Sequence, residues 1–515
     1  MKLEKSLGVG TATLISRVLG FVRDAVIALM FGATVYSDVF FAAFRIPDLL
    51  RKSFSDGVMS ISFVPVFTGC LCRQGRGEAF AMARSALFLL SFLAGAAVIA
   101  GIVFAPVFAG LIAPGFSPDS YEFSLVVLLS RIMMPYVLCI TLMALCMGVL
   151  NGLGDFTASA AAPIVLNLVL IFFGLVVSPL FTPPILAMGV GVIIGGVLQL
   201  AWQFSRVVAM GVNLFERSPL VHPGAVRAGK LLIPAATGAS AYHVNLFFAT
   251  VMASTLGSGG ISYIYYADRL VQFPLALFTV SVSTVLLPEL SKTVQAHNRE
   301  EASVLFTRGV ILVLVVTIPA MAGLAVLRQP IVSLLFQQGA FGADAVKNTA
   351  DALLWFASGL WAFAGTRLFV TLFYAHLDTK TPFTAGAAAV GANVVFSLLL
   401  VRPMGYQGLA LSISLAAMVN FLWLLVSALP KFSLEVWRQL FFSACRALAV
   451  SGIMYGIVYS FFFVVSGGGG QGGKLLLLAE VLCSVLLGAA VYAGCFFVMK
   501  FPEVKLIKEL VTKEK

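Results

Sequence analysis

Charge is scarce in this chain. Of 515 residues only 11% are Asp, Glu, Lys or Arg, where soluble domains carry about 25%. The longest polar connections, near residues 69–84, 205–230 and 291–303, are too short to bury a core of their own. A soluble body of useful size is therefore excluded. Cysteine is sparse as well: seven residues, an odd number, with Cys139, Cys146, Cys445, Cys483 and Cys495 in apolar runs where a free thiol behaves as a small hydrophobe. Cys70 and Cys72 form a C-x-C beside a basic loop, without the second pair and histidines that zinc wants. The pattern gives no disulfide framework, no metal cage and no cofactor. The N-terminal stretch lacks a convincing small-x-small cleavage site and is interrupted by Arg17, so it reads as a first membrane span rather than a signal peptide.

What is abundant is apolar sequence, 60% of the chain. A membrane-spanning helix needs about 20 such residues. Runs of that size number fourteen, near 7–31, 36–67, 85–113, 122–150, 158–178, 185–210, 229–256, 260–289, 304–327, 346–375, 382–402, 406–429, 440–465 and 475–499. The expected fold is an all-α polytopic membrane protein of about fourteen transmembrane helices. The net charge of +11 is unevenly spread. Arg73, Arg76 and Arg84, then Arg206, Arg217, Arg227 and Lys230, then Lys292, Arg299 and Arg308 collect in alternate loops, as do Lys380, Lys431, Arg438 and the tail lysines from Lys500 to Lys515. The loops 113–120, 178–184 and 256–260 carry no Lys or Arg. This is the positive-inside pattern and places both termini in the cytoplasm. Nucleic-acid binding would need the basic residues clustered on one folded face, and here they flank spans.

A faint internal repeat runs through the sequence. FFAAFR ending at Arg45 matches YYADR ending at Arg269, and SFVP (62–65) matches VLLP (285–288). NGLGDFT with Asp155 matches AHLDTKT with Asp378, and each of these loops precedes a small-residue-rich helix containing Asn167 or Asn393. The offsets agree at about 223 positions, the mark of a duplicated unit. The expected organisation is a six-helix bundle over 1–213, a second over 214–430, and two further helices with a basic tail over 431–515, joined through the glycine-rich tether 467–473. Repeats of this kind place a substrate site between the halves.

The first two spans break the rule that charge is excluded from bilayers. Between Leu14 and Val66 stand Arg17, Arg23, Asp24, Asp38, Arg45, Asp48, Arg51, Lys52 and Asp56, although each charge at mid-membrane costs at least ~2.5 kcal/mol and must face a bundle interior or a wet cavity. With Asp38 at zero on a helical wheel, Arg45 falls near about 340°, Asp48 near about 280° and Lys52 near about 320°, so one face is polar for most of its length. Arg17 and Asp24 share a face one heptad apart. In the eighth span Ser262, Tyr265, Asp268, Arg269, Gln272, Thr279 and Ser283 fall within roughly 120° of one another. Two readings fit. In one, Arg17, Arg23, Arg45, Arg51 and Arg269 line a cavity as anion ligands, because the planar guanidinium meets phosphate oxygens with two parallel hydrogen bonds, and Asp24, Asp38 and Asp268 orient the forks. In the other, the same residues are buried Arg–Asp pairs that lock helices together. Buried pairs seldom stabilise relative to apolar packing, which favours the cavity. Arg131 and Arg367, near span interiors, read as gates or structural pairs. His243, Asn245 and Asn393 read as ligands for a coupling cation or as interhelical hydrogen-bonders.

The segments SRVLGFVRD (16–24), FGA…SDVFFAAFRIPDLLRKSFSDGVMSISFVPVF (31–67) and YYADRLVQFP…LLPELSK (265–292) resemble the MurJ (MviN) family of lipid II flippases, bacterial members of the multidrug/oligosaccharidyl-lipid/polysaccharide exporter superfamily. The resemblance extends over nearly the whole chain. It implies alternating-access movement of lipid II, an undecaprenyl-diphosphate disaccharide–pentapeptide, from the cytoplasmic to the periplasmic leaflet of the bacterial inner membrane, with no chemical change. It carries the family's cavity arginines onto Arg17, Arg23, Arg51 and Arg269 and their acidic partners onto Asp24 and Asp38. It further implies a monomer in contact with membrane lipid and with the cell-wall synthesis machinery. Asp48 stands where the family often has Asn. A sodium site described for some members uses acidic residues in the seventh and eleventh spans, where this chain has Asn245 and Asn393. A cation-coupled drug or polysaccharide-lipid exporter, and an intramembrane polyprenyl-diphosphate-processing enzyme, are the alternatives. The first would want unpaired intramembrane carboxylates, the second a nucleophile, base or metal beside the phosphates.

Overall fold

The computed structural model describes residues 3–53, 59–213, 216, 219–238, 241–465, 473–499 and 501, with the side chains at 3–9, 50–53, 60–61, 232–238 and 241 outside that description. The expected ligand side chain of Arg51, the acid Asp56, tether residues 467–472 and the tail lysines therefore lie outside the described residues. Twenty-one α-helices and no strand occur among the residues described. With no water in a bilayer core, a helix is the one open-chain way to satisfy every backbone N–H and C=O internally.

The first unit comprises residues 1–243, 254–262 and 338–341. It contains α1 (Leu3–Phe31), α2 (Val35–Ser53), α3 (Met59–Ser62), α4 (Val64–Gln74), α5 (Arg76–Val103), α6 (Ala105–Ile112), α7 (Tyr121–Met133), α8 (Tyr136–Gly152), α9 (Thr157–Phe172), α10 (Leu186–Ala209) and α11 (Pro223–Gly238). The second unit comprises 244–253, 263–337 and 342–515. It takes most of α12 (Ala241–Ala253) and α13 (Gly260–Pro274), then α14 (Val280–Gln295), α15 (Arg299–Val326), α16 (Arg328–Phe336), α17 (Ala343–Ser358), α18 (Leu360–Ala375), α19 (Lys380–Ala428), α20 (Leu434–Val465) and α21 (Lys474–Val498). The first unit runs to residue 243, and residues 431–515 fall in the second.

Nine helices among the described residues are long and apolar enough to cross a membrane, and the bent pair α17–α18 makes ten. The charged α1, the charged α2–α4 and the interrupted α11–α12 fall outside that test, and α19 is two spans divided at Gly405, where the backbone leaves the helix (φ 57, ψ −132). Counted this way the architecture is consistent with fourteen spans. Proline sets several breaks. Pro106 follows the interruption between α5 and α6, Pro135 stands between α7 and α8, and Pro274 ends the regular part of α13, which continues as a π-helical segment (Leu275–Thr279).

Inside the first unit, Phe63, Phe67, Met82, Leu145 and Val149 form one buried cluster. Its tightness depends on α8: a Cβ at Gly148 would meet Phe63 at 2.8 Å and one at Gly152 would meet Phe67 at 2.6 Å. The second unit has an aromatic core in which Phe306 stacks on Phe432 and meets Phe369 edge-on, and Phe369 packs against Phe421 and Trp437. The two units repeat local devices. α5 is interrupted at Phe104 and α15 at Leu327. Asp155 accepts from Ala158 N and from Arg206, while Asp378 accepts from the backbone of Lys380 and Thr381 and from the Thr381 hydroxyl.

Candidate anion-binding site

In the first unit the site is built on α1. Arg23 is 6% exposed and Asp24 1%. Arg23 donates from Nε (3.0 Å) and Nη2 (2.6 Å) to the same oxygen, Oδ1, of Asp24, and from Nη1 to Asn167 Oδ1 at 3.2 Å. Asn167, on α9, donates its Nδ2 to the carbonyl of Ser16 at 3.0 Å, so it ties two turns of α1 at once. Gly20 faces this contact, and a Cβ there would lie at ordinary van der Waals distance, 3.8 Å, from Asn167 Nδ2. The guanidinium is thus held in plane, a geometry that suits forked recognition of an oxyanion.

Arg17 is placed differently. It is half-buried on the same helix, and no hydrogen bond or ion pair joins it to any described residue. A guanidinium that stays solvated or ligand-bound inside an apolar segment is what an anion site requires.

Asp38 does not orient an arginine among the described residues. It is 1% exposed. Its Oδ2 accepts from Gly259 N at 2.6 Å, and its Oδ1 accepts from Ser262 N at 2.8 Å and from the Ser262 hydroxyl at 2.6 Å. Ser37 adds a contact to the same hydroxyl at 2.9 Å. The carboxylate therefore caps the start of α13, where unpaired N–H groups and the positive end of the helix dipole attract it. Nothing in the periodicity of α2 could reveal a partner more than 200 positions away. Arg45 and Asp48 are both buried on α2.

In the second unit Arg269 lies over the ring of Tyr265, its guanidinium carbon 5.7 Å from the centroid. Asp268 is buried and receives Gln272 Nε2 at 3.5 Å. Ser283, on α14, accepts from Arg367 Nε, on α18, at 3.4 Å, so this hydroxyl of the expected polar face joins two helices. Asn393 donates to the backbone carbonyl of Asn245 at 3.2 Å, and Asn245 Oδ1 is buried without a hydrogen-bond partner. Among the described residues no three His, Cys, Asp or Glu side chains come together. Sequence reasoning missed Asn167 as the residue that positions Arg23; its recurrence as Asn393 in the repeat was the available signal.

Fold and site together define a multi-pass helical membrane protein of transporter type. A family model described as Lipid II flippase MurJ matches residues 27–479, and the chain belongs to that family. A relative from Vibrio cholerae serotype O1, named Probable lipid II flippase MurJ, is 36% identical over 426 residues, covering 81% of each chain. One from Burkholderia cenocepacia, named Lipid II flippase MurJ, is 33% identical over 505 residues, covering 96% of this chain and 97% of its own. Among solved structures, one titled Lipid II flippase MurJ, inward closed conformation, superposes with a TM-score of 0.80 at 24% identity, covering 96% of this chain and 99% of its own. A multidrug resistance MATE family transporter of the MOP superfamily, inward-facing, superposes with a TM-score of 0.67 at 14% identity, covering 83% of this chain and 99% of that one. These structural likenesses establish the shared fold.

Proposed function

We propose that this protein flips lipid II from the cytoplasmic to the periplasmic leaflet of the bacterial inner membrane by alternating access, unaltered chemically, with both termini in the cytoplasm. The diphosphate is held by Arg17, Arg23, Arg45, Arg51 and Arg269, and Asp24, Asp38 and Asp268 keep the empty site from accumulating positive charge. The observation that carries this reading is Arg17, half-buried inside an apolar helix with no described partner, on the same helix as the Arg23 guanidinium already fixed in plane. A diphosphate suits such forks, and a lipid-linked cargo keeps its tail in the bilayer while its head crosses. The protein acts as a monomer built from two duplicated bundles plus α20 and α21, and it meets the cell-wall synthesis machinery as cargo arrives.

A drug-export role fits the MATE-like fold, but Asp24 and Asp38, the carboxylates a cationic drug would want, are already engaged by Arg23 and by the start of α13. The deciding experiment is depletion combined with product analysis. Loss of the protein should trap lipid II in the inner leaflet, and purified protein should return labelled lipid II unaltered. Unchanged lipid II exposure in depleted cells with no other flippase would refute the transport role, and altered lipid would show an enzyme. Single cysteines in loops 69–84 and 291–303 should resist an impermeant thiol reagent in intact cells, and cysteines in 113–120 should react.

A further inference from the structure

Arg131 lies outside the site described above. It closes α7, on an exposed stripe with Tyr121, Ser124 and Leu128, and its neighbours across the gap, Val103, Phe104 and Val107, are also exposed. The guanidinium therefore sits on an exposed, largely apolar surface of a membrane-spanning segment, where an uncompensated charge is costly.

One part of its role is local. Pro106 has no N–H, so the carbonyl of Ile102, four residues earlier, has lost its helical donor. Arg131 Nε supplies it at 3.3 Å. In the second unit the matching proline is Pro330, which orphans the carbonyl of Val326. Arg328 Nη1 donates at 2.9 Å to the carbonyl one residue earlier, Ala325, from its own chain segment, and Trp355 stands near the place of Arg131. The first unit thus brings an exposed guanidinium to its break from a neighbouring helix, where the second uses a half-buried one from the break itself. Once Nε is committed to Ile102, the two terminal nitrogens of Arg131 carry no hydrogen bond to any described residue. They form an open pair of donors fixed at an apolar surface. Ser124 and Tyr121 continue the stripe along roughly 15 Å of α7 toward its start.

We propose that Arg131 is a receptor for a lipid phosphate, the charged phosphodiester of an anionic phospholipid in the leaflet bordering the start of α7. The phosphate neutralises the guanidinium through its free fork while the acyl chains cover Val103, Phe104 and Leu128. The shared chemistry is that of any phosphate, so the test must separate lipid from free anion. Protein purified from nanodiscs of phosphatidylglycerol or of phosphatidylcholine is compared by native mass spectrometry, with and without inorganic phosphate. Arg131→Gln should reduce phosphatidylglycerol retention by about tenfold, as loss of a charge-assisted contact predicts. The double variant Arg131→Gln/Pro106→Ala supplies the missing backbone donor to Ile102, so it separates backbone repair from lipid binding, and it should remain as deficient as the single variant. Equal retention by wild type and Arg131→Gln would overturn the proposal. So would recovery of retention in the double variant, which would make Arg131 purely a backbone donor. Full displacement of the lipid by inorganic phosphate, with no preference for phosphatidylglycerol, would overturn the assignment to lipid. The readout does not involve lipid II, so it stands or falls apart from the transport reading.

Discussion

Gly154 and Leu377 hold the same left-handed backbone conformation at the same place in two repeated helix ends. Gly154 has φ 86 after α8 and Leu377 has φ 59 after α18. The residue after each, Asp155 or Asp378, donates its N–H to the carbonyl five positions back, Leu150 or Phe373, at 2.9 Å in both cases. This is a Schellman-type helix stop, which favours glycine because a Cβ in that conformation meets the following carbonyl.

Leu377→Gly should therefore stabilise the protein, by up to about 1 kcal/mol, since Leu377 is exposed and has little packing to lose. Gly154→Leu should destabilise by a similar amount. Thermal unfolding of the detergent-purified protein measures both, and opposite signs for the two substitutions are expected.

Arg17→Ala should abolish growth complementation while leaving the unfolding midpoint close to wild type, because no described partner is left unsatisfied. Arg23→Ala should lower both, since Asp24 and Asn167 would each lose a buried partner at a cost of about 1–3 kcal/mol. Arg23→Lys and Arg269→Lys should still impair transport, because charge survives and the fork does not.

Asp38→Ala removes the acceptor for Gly259 N, Ser262 N and the Ser262 hydroxyl together. A destabilisation of about 2 kcal/mol is expected, with Ser262→Ala costing less because the two backbone bonds remain. If Asp38→Ala lost transport at unchanged stability, Asp38 would be a ligand residue instead of a cap.

Burial tends to raise the Asp378 carboxyl, but hydrogen bonds from Thr381 and Lys380 and the charge of Lys431 outweigh it and hold the group below its usual range. A depressed folded-state value contributes stability that is fully present above the unfolded value, about pH 4, and is lost as pH falls through the folded one. The stability gap between wild type and Asp378→Asn should therefore be flat above about pH 5 and close on further acidification. Unfolding midpoints across pH 3–7 test this.

Most spans were legible because hydrophobic length defines them, and the repeat because Asp155 and Asp378, and the runs SFVP (62–65) and VLLP (285–288), recur 223 positions apart. The charged face of α2 was readable from periodicity, but the destination of Asp38 was not. A helical wheel ranks directions around one axis and carries no information on which distant N–H groups arrive there. The Arg23–Asp24 pairing was open to sequence reasoning because neighbours on a chain must be close. The bracing of Arg23 by Asn167 was not, since it depends on how near α9 approaches at Gly20. Helix interruptions were partly visible through Pro106 and Pro135, whereas the answering donor from Arg131 depends on tertiary proximity.

The turn at Gly405 also governs how the chain is threaded. A continuous rod of 49 residues would measure about 73 Å, more than twice the ~30 Å hydrocarbon thickness. One glycine in a backbone conformation that side-chain-bearing residues rarely adopt converts that rod into a hairpin returning to the side it left. Every later segment inherits its orientation from this reversal. A bulkier residue at 405 would put at risk the odd–even order in which α20 and α21 cross, so a residue far from the arginines sets the sidedness of the chain's last quarter.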